Sequence, residues 1–369
     1  MIEQSASPHT RGVKGDLLEP CLGLSKEDAK SLADVTLMIH CASTTDFEDA
    51  AHDDHIDRMN IGGFEHFTQL VDNVRDMGGR PKVMYVSTAY QCGLHPGPIP
   101  EGKLFVSQHR NKYEWTKWWC DNAAQDLGFY VVRPSILIGH SKTYDSMGQQ
   151  RMIYGWAGAQ SLAMLMWFHM QGIEKPEFWQ RWQELAHIDS WPVLPLRLKA
   201  DRTTTQNTVC IDDAATVMDA IRNEIMEDPP GVSRVYNLVS PWPLGTDFIV
   251  DSIQSVFKCK GIQYCPGLDL ECIPRENKAE RMLNKITEVY RPYVLNKEPE
   301  FEMENVRALV PDEERPQITP ILFMGLMLNY FKPEMLRYMT DNEKLRPESI
   351  LRQMGRRKRD TQQLICHAR

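Results

Sequence analysis

The segment from Lys82 to Ser141 constrains this chain most, because its pieces gain meaning from their order: strand, hydroxyl turn, loop, helix, strand, proline turn. Lys82-Val-Met-Tyr-Val-Ser87 is a short β-branched and aromatic run ending in the hydroxyls of Ser87 and Thr88. A buried parallel strand looks like this when its carboxyl end opens onto a site. Asn111-Lys-Tyr-Glu-Trp-Thr-Lys117 reads as a helix, on which Tyr113 and Lys117 lie on one face, one turn apart, and can act on the same atom. Phe129-Tyr-Val-Val-Arg-Pro134 is the next strand, and Pro134, Ser135 and Ile136 follow at its carboxyl end, where open α/β sheets bind their ligands.

The pattern has a chemical logic. An ordinary tyrosine titrates near pH 10, too high for ready proton exchange at neutral pH. A fixed ammonium at Lys117 favours the phenolate and lowers that value, a hydroxyl at Thr88 polarises a substrate oxygen, and Tyr113 then serves as general acid when a carbonyl is reduced. Taken alone, a Tyr and a Lys four residues apart are far more often half-exposed surface than catalysis. Order and spacing together favour the catalytic reading.

Val86-Ser-Thr-Ala-Tyr90, Tyr113-x-x-x-Lys117 and Arg133-Pro-Ser135 resemble the extended short-chain dehydrogenase/reductase superfamily. Within it, Val86 to Gly93, Gly97-Pro-Ile-Pro-Glu101 and Asn111-x-Tyr-x-x-Thr-Lys117 resemble the fatty acyl-CoA reductases of the male-sterility type. The resemblance implies an α/β, Rossmann-type parallel sheet with a smaller, mostly helical substrate and carboxy-terminal region. It also implies NADPH as cofactor and an acyl-CoA or related acyl thioester as substrate, reduced to an aldehyde or a primary alcohol. It selects Thr88 as the catalytic hydroxyl, since 113 − 88 = 25 is the superfamily's usual separation, and makes Ser87 a structural neighbour. Lys117 would also bind the nicotinamide ribose beside Tyr113, with Pro134, Ser135 and Ile136 near the same end of the cofactor.

The implied organisation is a partial NAD(P)-binding domain over 12–142, a substrate-binding part interleaved with the end of that fold over 143–258, and a helical male-sterility-like region with a basic tail over 259–369. In the first of these, Gly12-Val-Lys-Gly-Asp-Leu17 reads as a short strand, similar to the superfamily's third, which would bring Asp16 and Leu17 to the adenine. Ser25 is the expected N-cap of the helix that follows. Val35 to Ala42 reads as a buried strand, and Cys41-Ala42-Ser43 matches the small-residue turn that passes close to the adenosine. Asn60, in an Asn-x-x-Gly segment, would brace the active-site strand. Its plain alternative is an ordinary helical Asn.

One expected part is missing. No glycine-rich turn between a strand and a helix precedes Asp16, and Gly62-Gly63 and Gly78-Gly79 do not replace it. Strands 1 and 2 of the 3-2-1-4-5-6 order would then be absent, which implies an N-terminally incomplete form that binds NADPH poorly and exposes sheet edges. A catalytically silent relative acting as a lipid- or protein-binding module therefore stays open, as does another extended short-chain carbonyl reductase. The carboxy-terminal match of Val289-Tyr-Arg-Pro-Tyr293 and Phe301-Glu-Met-Glu-Asn305 argues against sugar epimerases.

Composition excludes more than it identifies. A net charge of −8 over 369 residues argues against a general nucleic-acid binder. Nine cysteines without a C-x-x-C pair fit free thiols in a reducing, cytoplasmic setting. His52 and His55 with Asp53 and Asp54 offer no third ligand of the right kind, so no metal is expected. Ala159 to Phe168 is an apolar helix, usually core and here a candidate wall for an acyl chain. Residues 174–202 read as a Trp- and Pro-rich cap, and Thr208 to Met218 as a strand entering a helix capped by Asp212 or Asp213. Ile318 to Leu328 is too short to span a bilayer. Arg352 and Arg356 to Arg359 read as a solvated face, with peripheral membrane contact as the sharper alternative.

Overall fold

The computed structural model describes residues 11–47, 54–149, 152–173, 191 and 193–336, the side chains of 332–336 excepted. In chain order the strands are β1 (Leu37–His40), β2 (Lys82–Val86), β3 (Tyr130–Pro134), β4 (Ile136–Ile138), β5 (Arg197–Leu198), β6 (Thr205–Gln206), β7 (Thr208–Cys210), β8 (Val235–Leu238), β9 (Leu244–Gly245) and β10 (Gln263–Tyr264). The chain divides into two compact units, one of Met1–Ser135, Thr216–Val239 and Pro299–Pro311, the other of Ile136–Ala215, Ser240–Glu298 and Asp312–Arg369.

The first unit is built on a parallel sheet in the order β1-β2-β3-β8, pairing Leu37 with Lys82, Met84 with Tyr130 and Val131 with Val235. Its central strands are apolar and β-branched because both faces are covered. Helices α1 (Lys26–Lys30), α2 (His55–Asp57), α3 (Gly63–Asp76) and α4 (Lys112–Asp126) surround the site region. Phe64, Phe67, Leu70, Val71 and Val74 recur at helical spacing along α3 and pack with Val83, Tyr85, Val131 and, from α4, Cys120 and Ala124. Ser25 caps α1 as expected, its Oγ accepting the Asp28 N–H at 3.0 Å.

Residues 11–16 form no strand, contrary to the sequence expectation for Gly12 to Leu17. Among the described residues no strand pairs with the free side of β1, so an extended segment here would have no ladder for its backbone groups. The chain instead folds back, the Asp16 N–H donating to the Leu22 carbonyl at 2.8 Å, and enters a 3-10 turn over Pro20–Gly23. Cys21 and Leu22 reach left-handed φ values of 50° and 59°, and Leu22 and Leu24 pack on the α3 core. One consequence is that Ile39 on β1 remains 47% exposed.

The second unit holds three two-stranded pairings, β4 with β7 and β5 with β10 in parallel, and β6 with β9 antiparallel. Its long apolar helix α5 (Ile153–Met170) includes the expected segment Ala159 to Phe168. Gly139 ends β4 where a Cβ would fall 2.1 Å from the Asp145 carbonyl oxygen, so only glycine fits. The strand-to-helix reading at Thr208 is met, and the helix Ile211–Glu227 starts at once, which puts both aspartates in its first turn. Asp212 accepts the N–H of Ser141 at 2.8 Å, and Asp213 pairs with Arg315 at 2.7 Å in a buried ion pair. No helix among the described residues is long and apolar enough to cross a membrane, and none of their His, Cys, Asp and Glu side chains cluster as a metal site. No disulfide joins the cysteines among the described residues. His52, Asp53, Trp179, Trp182, Arg352 and Arg356 to Arg359 lie outside the described residues.

Candidate active site

Three elements of the first unit bring the expected side chains together. β2 ends with the Ser87 N–H donating to the Val132 carbonyl at 2.7 Å, after which the chain turns at Thr88 into a single 3-10 turn, Ala89–Cys92. The Thr88 hydroxyl accepts the Tyr90 N–H at 3.4 Å and donates to the Pro134 carbonyl at 3.4 Å. α4 begins at Asn111, whose Oδ1 accepts the Glu114 N–H at 2.9 Å, while Glu114 reaches back to the Arg110 N–H at 2.9 Å and pairs with its guanidinium at 3.1 Å. That reciprocal cap, with its Arg110–Glu114 pair buried, sets the first turn of the helix and with it Tyr113.

Two further contacts fix α4. Asn60 lies in a π-helical turn, Arg58–Gly62, a distortion that releases its side chain for other work. Its Oδ1 accepts the Thr44 N–H at 2.9 Å and its Nδ2 donates to Thr116 Oγ1 at 3.0 Å, tying the loop after β1 to the helix of Tyr113 and Lys117. One turn beyond Lys117, Asp121 receives both the Nε and Nη2 of Arg133, at 2.8 and 2.7 Å. The same guanidinium donates to the carbonyls of Pro100 and Gly102 at 2.9 and 2.8 Å, so the loop between Thr88 and α4 is held by the strand beneath it. Glu101 in that loop accepts the N–H groups of Asn237 and Asn305 at 2.9 and 2.6 Å, and burial pushes its carboxyl up.

The electrostatics differ from the sequence expectation. Burial pushes the Tyr113 phenol up to about 12, against a hydrogen bond with Thr88 that draws it down and with the nearby Glu114 raising it further. Lys117 does not lower it in this arrangement. Its Nζ donates to the Val86 carbonyl at 2.7 Å and stands 4.5 Å from the centre of the Tyr85 ring, and burial brings its own value down to about 8. The ammonium is committed to a carbonyl and a π-face. Tyr113 is therefore fully protonated at neutral pH and meets the hydroxyl of Thr88, which is the geometry of a proton donor paired with a polarising group.

The residues expected around a dinucleotide separate into two sets. Cys41, Ala42 and Ser43 follow the carboxyl end of β1, the first two exposed. Lys117 underlies the site, and Ser135 follows β3 with a buried hydroxyl that has no hydrogen-bond partner, as has Ser87 after the neighbouring β2. Orphaned hydroxyls at adjacent strand ends, beside an ammonium, fit the ribose and carboxamide end of a nicotinamide. Pro134 closes β3, and Ile136 opens β4 in the second unit. Asp16 and Leu17 form the other set and lie at no strand end. The Asp16 carboxylate accepts the Leu18 N–H at 2.9 Å, and Leu17 packs against Gly63, its carbonyl 2.8 Å from Nδ1 of His66. Among the described residues no glycine-rich strand-to-helix turn stands ready for a pyrophosphate, so the fit covers the nicotinamide half only.

Sequence reasoning did not find Asp121, Glu101, Thr116 or Gln91. A charged Arg133 inside an apolar strand was the available signal for Asp121, because a buried guanidinium demands a carboxylate.

Parallel sheet, hydroxyl turn and Tyr–Lys helix define an extended short-chain dehydrogenase/reductase fold. The terminal R domain from the myxalamid PKS-NRPS biosynthetic pathway superposes with a TM-score of 0.62 at 15% identity, over 88% of this chain and 75% of that one. The reductase domain of a nonribosomal peptide synthetase from Mycobacterium tuberculosis gives 0.56 at 14% identity, over 88% and 75%. UDP-glucuronic acid 4-epimerase from Bacillus cereus, in complex with UDP-glucuronic acid and NAD, gives 0.51 at 14%, over 86% and 81%. At such identities these structures show the fold. No curated protein sequence matches significantly. Residues 2–175 match the family model of the male sterility protein, an NAD-binding domain.

Proposed function

We propose that this protein reduces an acyl thioester, of the fatty acyl-CoA kind, with NADPH as the hydride source. The observation that carries the reading is the enclosed set of Thr88, Tyr113 and Lys117, held by Asn60 and by the Arg133–Asp121 pair. When bound, the dinucleotide supplies a hydride to the thioester carbonyl carbon. Tyr113, protonated at neutral pH, delivers a proton to the carbonyl oxygen as that oxygen gains charge, and the Thr88 hydroxyl orients it. As the C–S bond breaks, the oxygen returns its proton toward the departing sulfur, leaving an aldehyde and a thiol; a second hydride and proton convert the aldehyde to an alcohol. Lys117, an ammonium below about pH 8, holds the nicotinamide ribose from beneath.

A second reading has its own observation. Residues 11–24 form no strand, β1 has no partner on one side among the described residues and Asp16 is engaged in a local turn, all consistent with a relative that binds a lipid or a protein without turning it over. Product analysis separates the two. The full chain, given a long-chain acyl-CoA and millimolar NADPH deuterated at the transferring carbon, is expected to yield aldehyde or alcohol carrying deuterium at C1. A folded preparation that forms no deuterated product leaves the binding module as the better account.

A further inference from the structure

Gln91 is the least explained side chain near this site. It is 0% exposed, yet neither its Nε2 nor its Oε1 has a hydrogen-bond partner. A buried carboxamide with both ends orphaned bears the full desolvation of a donor and an acceptor, which native proteins rarely tolerate without a reason. Its position is specific. The 3-10 turn that carries it is closed by the Gln91 N–H donating to the Thr88 carbonyl at 3.2 Å. That bond closes the turn directly behind Thr88, whose own backbone is extended at φ −147° and ψ 147°, so Gln91 stands one closed turn from Thr88. Ala89 and Cys92 of the same turn are accounted for: Ala89 packs with Val239 and Met303, Cys92 with Ile99, Leu104 and Val106, and Phe301 borders both groups. The orphaned hydroxyl of Ser87 adds a second unsatisfied group one residue before Thr88.

We infer that the Gln91 carboxamide recognises a secondary amide in the thiol arm of the substrate, and so selects thioesters of the pantetheine type; the inference rests on the thioester reading above. A carboxamide can donate from Nε2 to an amide's C=O or accept at Oε1 from its N–H, one of the two at a time because a trans secondary amide turns those groups to opposite sides. The spacing agrees. Three residues of 3-10 rise place Gln91 roughly 6 Å from Thr88 along the turn. In a pantetheine thioester the first amide nitrogen lies four bonds beyond the reacting carbonyl carbon, a separation of about the same size at ordinary bond lengths. With the carbonyl oxygen at Thr88 and Tyr113, the amide meets Gln91. A simple alkyl thioester leaves both ends of the carboxamide unsatisfied, and that contrast is the source of discrimination.

The test compares two ligands on the full chain, the butyryl thioester of N-acetylcysteamine, which carries the amide, and S-butyl thiobutyrate, which lacks it. Dissociation constants come from ligand-observed NMR on the parent, Gln91→Leu and Gln91→Met, with thermal unfolding of each. The parent is expected to bind the amide-bearing thioester about tenfold more tightly, the worth of a net hydrogen bond. Both variants should bind the two ligands alike while unfolding at or above the parent's temperature, because an apolar side chain removes an unmet polar demand. A parent without preference, or variants that keep it, overturns this inference and leaves the thioester reading standing. A parent that binds neither ligand overturns both, and variants that unfold well below the parent show that Gln91 serves the fold instead.

Discussion

The middle of the first unit's sheet and its β1 edge are built from the same kinds of residue and end in different states. Around β2, β3 and α4, each charged group at depth has a designated partner: Arg133 has Asp121 and two carbonyls, Glu114 has Arg110, and Lys117 has the Val86 carbonyl. Along β1 the free edge has no ladder among the described residues, Ile39 is half-exposed, and residues 11–24 fold back locally on α3. The difference teaches that bracing is concentrated around Thr88, Tyr113 and Lys117, where the proposed proton delivery falls, while residues 11–24 and the β1 edge show no comparable bracing among the described residues.

Stability measurements sharpen that contrast, beginning with the largest effect. Arg133→Met strands the Asp121 carboxylate in the interior and is expected to cost about 3–5 kcal/mol in denaturant unfolding. Asp16→Ala, which removes an exposed turn acceptor, should leave the midpoint unchanged within error. Equal effects from the two substitutions would erase the distinction between centre and edge.

Titration gives the next effect. Lys117 is depressed from 10.5 to about 8, so between those values the unfolded chain holds the extra proton and stability rises with pH. Tyr113, raised to about 12, acts oppositely, and stability falls again as pH climbs from about 10. His40, on β1 but buried against Phe67 and Tyr85, is depressed from 6.5 to about 4 by burial and then by Lys117. It should lose stability as pH drops through that window. Lys117→Met should flatten the alkaline rise and His40→Phe the acid fall, each followed by unfolding midpoint against pH. Unaltered profiles in the variants would detach these groups from the stability of the site.

Much of the centre was legible in the sequence because the signals there are local. Tyr113 and Lys117 share a face by spacing alone, Ser25 announces a helix start, and the apolar runs of β2 and β3 need no partner to be recognised. Asn60 was expected to brace a strand and instead braces the loop after β1 and the Tyr–Lys helix, through a π turn that leaves no mark in composition. What was misread depends on distant partners. Gly12 to Leu17 has strand-like residues, but a strand exists only against a neighbour. Asp212 and Asp213 look like caps, and only the fold shows that Ser141 and Arg315 are their partners. Lys117 looked like the group that acidifies Tyr113, and only the fold shows its ammonium taken by Val86.

The central claim is that Tyr113 is the proton donor of a thioester reduction, and turnover of Tyr113→Phe tests it most directly. The variant keeps the ring, its burial and the helix, and removes a single hydroxyl. Thioester-dependent oxidation of millimolar NADPH, followed in parent and variant with circular dichroism confirming equal folding, is expected to fall by about a hundredfold or more in the variant. Turnover by Tyr113→Phe within a few-fold of the parent would contradict the account.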